Sequence, residues 1–160
     1  MVERLWTPWR KAYLEGPSES GCFLCTGPAA RDDRANMIVF RGEQVFVILN
    51  RYPYNSGHVM VAPYAHTGDF GGLPPAIATE LMATTQRTVR ALEAAYQPHA
   101  FNIGMNLGKV AGAGVPDHLH MHLVPRWNGD TNFMPVIADT KVLPETLNET
   151  YERLEPHFRF

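Results

Sequence analysis

The stretch "HLHMHLV" at residues 118–124 constrains the fold of this chain more than any other feature, because it places three histidines at intervals of two residues. In a β-strand, successive side chains point to opposite faces, so His118, His120 and His122 would share one face. Apolar residues would then occupy the other face, where a core needs them. A helix would scatter the three imidazoles around its axis. The spacing therefore predicts a strand with one core-facing side and one histidine-bearing side.

Three imidazoles on one face predict chemistry rather than packing. A single histidine on a strand face is usually a half-buried residue whose hydrogen bonds are satisfied and which has no special role. Imidazoles that crowd together raise the cost of charging any one of them, and valine or threonine would serve packing better. The stretch therefore indicates metal binding, acid–base chemistry or nucleophilic catalysis.

The remaining hydrophobic patterns predict an α+β fold. Short runs of β-branched and aromatic residues predict four strands besides the histidine stretch, at 37–40, 45–49, 58–62 and 100–106. A long helix is expected between Pro74 and Pro98, where apolar residues recur at steps of three and four. A second helix is expected from about Pro144 to Leu154. This order of elements predicts an antiparallel sheet on which one long and one C-terminal helix pack.

Length, composition and charge restrict the class of protein. The chain has 160 residues, of which 45% are hydrophobic and 19% charged, so we expect one globular domain over residues 1–160. A formal net charge of -2 predicts no nucleic-acid partner and no contact with an anionic membrane. No apolar run approaches the roughly 20 residues that span a bilayer, and the N-terminus lacks the apolar core of a secretion signal. We therefore expect a cytoplasmic protein.

The two cysteines of the chain, Cys22 and Cys25, lie together in "GCFLC". In a reducing compartment such a pair is more typical of half a metal site or of a redox pair than of a structural disulfide. A redox pair needs a preceding strand and a helix that opens on it, whereas the flanks "EGPSES" and "TGPAARDDR" predict loop. A metal site is therefore favoured, provided that two more ligands exist elsewhere in the chain.

A glycine-rich segment, "NLGKVAGAGVPD", leads directly into the histidines. Gly108, Gly112 and Gly114 would let the backbone approach a ligand closely and turn its amides towards an anion. Beside a row of histidines, such a loop suggests a phosphate group held next to an imidazole. A neutral imidazole is a good nucleophile near pH 7 and can form a phosphoramidate that a second acceptor resolves.

These residues resemble a known family. The pattern of "HLHMHLV" is similar to the signature of the histidine triad (HIT) superfamily of nucleotide hydrolases and transferases, and "VILNRYPYNSGHVMVAPYAH" resembles its nucleoside-binding hairpin. The segments "LWTPWR" and "PRWNGDTNFMPVIADTKVLPE" resemble a bacterial branch of diadenosine tetraphosphate hydrolases and phosphorylases. The resemblance implies a HIT-like fold. It also implies cleavage at the α-phosphate of a dinucleoside polyphosphate through a nucleotidyl-histidine that water or inorganic phosphate resolves.

The resemblance also assigns roles to individual residues. His120 matches the nucleophile, His122 the third position of the triad, which contacts the phosphate or leaving group, and His58 a histidine that orients the triad. Nucleotide-binding positions are also implied, namely Asn50 at the ribose and Asn106, Gly112, Ala113 and Gly114 at the phosphates. Well-known members place Gln, Ser or Thr just before the triad, and this chain does not. The choice between water and phosphate as acceptor therefore stays open.

The same resemblance implies a structural zinc ion. Several relatives bind zinc through a Cys-x-x-Cys pair, a mid-chain histidine and the first histidine of the triad, positions that match Cys22, Cys25, His66 and His118. Two thiolates and two imidazoles make a closed tetrahedral site. If no metal binds, the cysteines are free thiols and His66 is a surface residue. The resemblance further implies a homodimer, with the long helix and a sheet edge at the interface, and no organic cofactor.

Two alternatives to a dinucleoside polyphosphate enzyme remain. One is a phosphoramidase or a hydrolase of mononucleotide conjugates, which would use the same nucleophile. The other is a nucleotide-binding module that keeps the pocket and turns over little substrate. The binding module would share every motif of the chain, so only a measurement of turnover excludes it.

Overall fold

Five antiparallel strands form one sheet in the order β1-β2-β3-β5-β4, as a computed structural model of the chain shows. The structure describes residues 21–131 and 143–159, so "LWTPWR" and most of the segment that follows the triad lie outside it. The strands are β1 (Ile38–Arg41), β2 (Val45–Leu49), β3 (Val59–Pro63), β4 (Ala100–Gly104) and β5 (Met121–Arg126). The predicted strands at 37–40, 45–49, 58–62 and 100–106 are confirmed to within two residues at each end.

Three α-helices accompany the sheet within the described residues: α1 (Phe23–Ala29), α2 (Pro75–Tyr96) and α3 (Leu147–Leu154). The predicted long helix is confirmed as α2, which has proline at its first position and ends where Gln97 adopts a left-handed φ of 46°. Helix α3 begins three residues after the predicted Pro144, because Thr146 and Glu149 form a capping box at its N-terminus. No helix in the described part of the chain is long and apolar enough to cross a membrane.

Both faces of the sheet are covered, which explains why β2 is buried along its whole length. The side chains of Val45, Val47 and Leu49 belong to a core that residues of α2 and α3 complete. The intervening Phe46 and Ile48 belong to a second core on the other face, which α1 completes. Alternation along one strand therefore divides the core into a large cluster beneath the long helix and a small one beneath α1.

Helix α1 corrects the prediction that the residues around the cysteines form a loop. Its seven residues include Gly27 and Pro28, both poor helix formers, and these hide the helical signal in the sequence. Burial of Leu24, which is fully inaccessible, supplies the stabilisation that propensity lacks. The cysteines thus lie at the start of a helix that packs on the sheet.

The histidine stretch also differs from its prediction, because β5 begins only at Met121. Strand β3 pairs with β5 no further than Val61 opposite Met121, and the backbone N–H of Leu119 instead donates to the carbonyl oxygen of Thr67 at 2.7 Å. The apolar face nevertheless behaves as predicted, since Leu119 and Leu123 both lie in the core beneath α2. His118 and His120 therefore precede the strand, and His122 lies within it.

Candidate active site

Three of the sequence-predicted histidines, His58, His120 and His122, come together where β3 and β5 begin. In the sheet His122 lies opposite Met60 on one side and Gly104 on the other. Met60 belongs to the core beneath α1, so the His122 ring is on that face of the sheet. The centroids of the His120 and His122 rings are 4.9 Å apart, with the rings inclined at 73°. The face next to His122 is open, because a Cβ atom at Gly104 would meet no described atom within 4 Å.

The proton of His120 is held on Nδ1. That nitrogen lies 2.8 Å from the carbonyl oxygen of His118, and a carbonyl oxygen can only accept a hydrogen bond. In the neutral ring, Nε2 therefore carries a lone pair. Burial lowers the pKa of His120 below the usual histidine value, so the neutral form is favoured at pH 7. The residue thus offers an unprotonated ring nitrogen within a largely buried side chain.

The protons of His58 and His122 are assigned by a second chain of contacts. The backbone N–H of Tyr54 donates to Nδ1 of His58 at 3.0 Å, so the proton of that imidazole is on Nε2. Nε2 of His58 lies 3.0 Å from Nδ1 of His122 and donates to it. The remaining proton of a neutral His122 ring is then on its own Nε2. The site therefore combines a ring nitrogen that carries a lone pair, on His120, with a protonated ring nitrogen, on His122.

The turn before His58 is tied to the end of β5 by a polar network that the sequence patterns did not reveal. The Asn55 side chain donates to the Pro125 carbonyl oxygen at 3.1 Å and to the Asp130 carboxylate at 2.8 Å. Arg126 binds the same carboxylate with two hydrogen bonds, of 2.6 and 2.9 Å. The Arg126 guanidinium holds the pKa of Asp130 well below its usual range. This network fixes the strands that carry His58 and His122 relative to each other.

The predicted nucleotide-binding residues occupy two places. Asn50 follows β2, and its side-chain nitrogen lies 3.4 Å from Nε2 of His58. Asn106 lies at the start of the glycine-rich segment, where its side-chain nitrogen donates to the Gly112 carbonyl oxygen at 3.4 Å. Gly108 and Gly112 have φ values of 80° and 91°, which favour glycine at both positions. The loop is exposed at Gly112 and Gly114, whereas Ala113 is buried.

The four predicted metal ligands come together although they are distant in sequence. The donor atoms of Cys22, Cys25, His66 and His118 all lie within 4.8 Å of one another. Nδ1 of His118 is 3.4 Å from each Sγ atom and 3.2 Å from Nδ1 of His66. Tetrahedral zinc, with Zn–N bonds of about 2.0–2.1 Å and Zn–S bonds of about 2.3 Å, would separate its ligand atoms by roughly 3.3–3.8 Å. The group therefore fits a metal ion of this type.

Within that group the His118 ring is fixed from its other side. Nε2 of His118 donates to the Pro63 carbonyl oxygen at 2.8 Å, which leaves the lone pair of Nδ1 directed at the thiols. Burial lowers the pKa of His118 and so favours the neutral ring that a metal requires. The sequence patterns did not single out Pro63 or Tyr54, because both act through backbone atoms that contact residues remote in the chain.

Comparison with known proteins places the chain in a family. The model of the HIT domain matches residues 32–129. An AP-4-A phosphorylase of Mycobacterium tuberculosis is 41% identical over 157 residues, which cover 93% of this chain and 80% of the relative. A bis(5'-nucleosyl)-tetraphosphatase (asymmetrical) of Schizosaccharomyces pombe is 30% identical over 95 residues, which cover 59% of this chain and 52% of the relative.

A solved structure agrees with these sequence relationships. The crystal structure of a Zn-bound histidine triad family protein from Mycobacterium smegmatis has a TM-score of 0.68 to this chain at 27% identity, covering 87% of this chain and 93% of that one. The predicted antiparallel α+β fold and the resemblance to the histidine triad superfamily are thereby confirmed. Since the family model matches more than half of the 160 residues, this chain belongs to the HIT domain family.

Proposed function

We propose that this protein cleaves a dinucleoside polyphosphate, such as diadenosine tetraphosphate, at an α-phosphate. The observation that carries the proposal is the hydrogen bond from Nδ1 of His120 to the His118 carbonyl oxygen, because it leaves a nucleophilic lone pair on Nε2. The 41% identity to an AP-4-A phosphorylase supports this class of substrate. The arrangement of donor and acceptor nitrogens supports phosphoryl chemistry at the same place.

The proposed reaction has two displacements at the α-phosphorus. Nε2 of His120 attacks, a P–N bond forms, and the P–O bond to the bridging oxygen breaks, so that the distal nucleotide leaves with that oxygen. Nε2–H of His122 donates to a phosphate oxygen as charge develops there. Water or inorganic phosphate then attacks the nucleotidyl-histidine, the P–N bond breaks, and a nucleoside mono- or diphosphate is released. His58 holds the His122 ring in the donating orientation.

Substrate binding is assigned to residues around the histidines. Asn50 would contact the ribose, and Asn106 with Gly112, Ala113 and Gly114 would hold phosphate oxygens. The positive φ values of Gly108 and Gly112 bend this short loop back on itself. The N–H groups of Gly112 and Ala113 donate to the carbonyl oxygens of Lys109 and Gly108, so a phosphate would have to replace these bonds. Neither of the two proposed displacements needs a metal or an organic cofactor at the reacting phosphorus.

We also infer that the four-ligand group binds zinc with a structural role. Two thiolates and two imidazoles leave no position open for substrate, which is the donor set of a structural zinc site. Cys22 and Cys25 lie at the start of α1 and His118 lies before β5, so a bound ion would fasten this helix to the histidine segment. The Zn-bound relative of Mycobacterium smegmatis supports zinc over other metals.

A homodimer completes the proposal. Strand β4 is an edge of the sheet, and the exposed apolar side chains of Ile103 and Leu107 lie on it and just beyond it. Such an edge is commonly covered by a second chain. Light scattering that returns twice the monomer mass would support the dimer.

We further propose that residues 1–160 act as one domain in the cytoplasm, with nucleotides as substrates and neither nucleic acid nor membrane as partner, in line with the net charge of -2.

Product analysis with diadenosine tetraphosphate, with and without inorganic phosphate, tests the activity. ATP and ADP formed only in the presence of phosphate would indicate phosphorolysis, and ATP with AMP would indicate hydrolysis. Cleavage of adenosine phosphoramidate but of no dinucleoside polyphosphate would instead assign a phosphoramidase. Nucleotide binding without turnover of any of these compounds would leave a binding module and contradict the proposal.

A further inference from the structure

We propose that the aromatic ring of Tyr54 covers the hydrogen bond between His58 and His122 and keeps water out of it. The inference rests on the proposed function, because His122 is the donor in that reaction. It gives the side chain of Tyr54 a role of its own, beside that of its backbone N–H. Tyr54 is thereby a positioning residue, which acts on the substrate through the two histidines.

The Tyr54 ring lies flat against the imidazole of His58. The two ring centroids are 4.8 Å apart and the rings are inclined by only 16°, which is a stacked arrangement. The backbone N–H of Tyr54 donates to Nδ1 of the same imidazole at 3.0 Å. One residue therefore holds the His58 ring both along its edge and across one face.

The same aromatic ring also reaches His122. The centroids of the Tyr54 and His122 rings are 6.3 Å apart, and those of His58 and His122 are 5.2 Å apart. The hydrogen bond of 3.0 Å between Nε2 of His58 and Nδ1 of His122 joins two members of this group of three rings. His58 is 1% exposed, whereas Tyr54 is only half-buried. Removal of the Tyr54 ring would therefore open a face of His58 to solvent.

Water at this hydrogen bond would remove its direction. Nδ1 of His58 accepts from a backbone amide, so Nε2 of the neutral ring can only donate, and Nδ1 of His122 must accept. Water both donates and accepts, so a water molecule at Nδ1 of His122 would allow the proton on either ring nitrogen. A His122 ring that is protonated on Nδ1 presents a lone pair at Nε2 and cannot donate to a phosphate oxygen. Exclusion of water therefore preserves the donor.

The effect of the ring can be separated from that of the backbone. Every residue except proline supplies a backbone N–H, so Tyr54→Ala removes the cover and keeps the donor to His58. Tyr54→Phe keeps the ring and removes only the hydroxyl group. A matched control is the stacked pair of Phe40 and Phe158, whose centroids are 5.7 Å apart and which lies in the core beneath α2. Phe158→Leu removes an aromatic pair that includes no histidine.

The test follows 15N-labelled histidine side chains of these variants by long-range proton–nitrogen NMR. In Tyr54→Ala the proton between His58 and His122 should exchange with water about tenfold faster, as when a site loses the protection of one aromatic pair. His122 should become a mixture of tautomers, while His120 keeps its proton on Nδ1. With diadenosine tetraphosphate, kcat should fall about three- to tenfold and KM should change little. Tyr54→Phe should recover most of both losses, and Phe158→Leu should lower stability alone.

Three results would overturn the proposal: unchanged exchange and tautomers in folded Tyr54→Ala, a Tyr54→Phe variant as impaired as Tyr54→Ala, or equal changes in Phe158→Leu, which indicate general loosening. If circular dichroism shows that Tyr54→Ala does not fold, Tyr54→Leu replaces it with the same expectations, because leucine fills the space without a flat ring. Altered tautomers in a protein that turns over no substrate would refute the proposed function and leave the positioning role intact. Normal tautomers with normal turnover in the alanine or leucine variant would refute the positioning role alone.

Discussion

Nε2 of His58 lies 3.0 Å from Nδ1 of His122, and the backbone N–H of Tyr54 occupies the other ring nitrogen of His58. A backbone amide cannot change its protonation state, so the direction of both hydrogen bonds is fixed by the turn that contains Tyr54. His122 therefore accepts a hydrogen bond at Nδ1, which places the proton of its neutral ring on Nε2.

If His58 acts only through His122, its removal should matter only while His122 is present. We expect His122→Ala to lower kcat by about 10²- to 10³-fold, as for loss of one donor to the transition state. His58→Phe, which retains a ring beside Tyr54, should cost less, and the double variant should match His122→Ala alone. Steady-state kinetics on the three variants give the coupling between the two residues. Losses that simply add would assign His58 an independent role.

Replacing the nucleophile should remove the reaction path while sparing binding. His120→Ala should lower turnover by several orders of magnitude, with nucleotide affinity nearly unchanged, because Asn50 and the glycine-rich loop remain. Single-turnover experiments, quenched without acid to preserve the P–N bond, would detect the nucleotidyl adduct. An adduct that still forms on residues 118–124 of the variant would reassign the nucleophile.

The pH dependence of kcat/KM should reflect the buried His120. Burial lowers its pKa below the usual 6.5, and the neutral imidazole is the form that attacks. Activity should therefore persist as the pH falls through 6.5 and decline only at lower pH. A rate profile measured from pH 4 to 8 would show this acid limb. A midpoint of the acid limb at or above pH 6.5, lost only in His120→Ala, would contradict the assignment of a lowered pKa to His120.

The Asp130 network should make stability depend on pH in the acid range. Arg126 depresses the pKa of the Asp130 carboxyl. The ionised carboxylate therefore stabilises the fold above the usual carboxyl pKa of 3.8, and this stabilisation is lost as the pH falls through the pKa of Asp130 in the folded state. Asp130→Asn should cost about 1–3 kcal/mol at pH 7. The difference from the unmodified chain should shrink below pH 3.8. Urea unfolding at several pH values measures it.

Glu152→Gln provides the matched control for Asp130→Asn. Glu152 pairs with Arg34 at 2.6 Å, but its side chain is 64% exposed. Exposed pairs contribute about 0–1 kcal/mol because water and salt screen them. We therefore expect a small effect with little dependence on pH. A loss as large as that of Asp130→Asn would show that burial does not distinguish the two pairs.

Metal removal should lower stability. We expect about one zinc per chain by elemental analysis of protein purified without chelator, because the chain has one group of four suitable ligands among its described residues. Changing Cys22 and Cys25 together to Ser should remove the metal and lower the melting temperature by more than about 10 °C. Active native protein that contains no zinc would refute the site and return His118 to the reacting histidines.

Sequence patterns predict a strand of this fold correctly where the run of apolar side chains is as long as the pairing with the neighbouring strand. The run "VFVIL" gives β2 with its two faces assigned, because each residue of it meets a core. The alternation of "HLHMHLV" predicts which side chains share a face but overestimates the length of the strand. The pattern carries no information on where the pairing of β3 with β5 ends. The sequence does not predict helix α1, because Gly27 and Pro28 are poor helix formers and tertiary packing stabilises the helix instead.

The sequence predicts which residues form the site better than it predicts which ring nitrogens carry protons. The cysteine pair and the histidines indicate chemistry by residue type and spacing alone. Which ring nitrogen carries hydrogen depends on the backbone at Tyr54, Pro63 and His118, which contact the rings only in the folded chain. Direction of proton donation is therefore a property of the tertiary structure, and the sequence patterns do not contain it.

Gly104 offers a use that its place beside His122 makes available. A Cβ atom there would meet no described atom within 4 Å, and its φ is unremarkable, so a cysteine should be accommodated by the backbone as it stands. Side chains stand perpendicular to the sheet, so a fluorophore attached to that cysteine would project from the face that bears His122 and not along the edge at which a second chain would pair. Its emission would then respond to the arrival and departure of nucleotide, which turns the protein into an optical reporter for its own ligand.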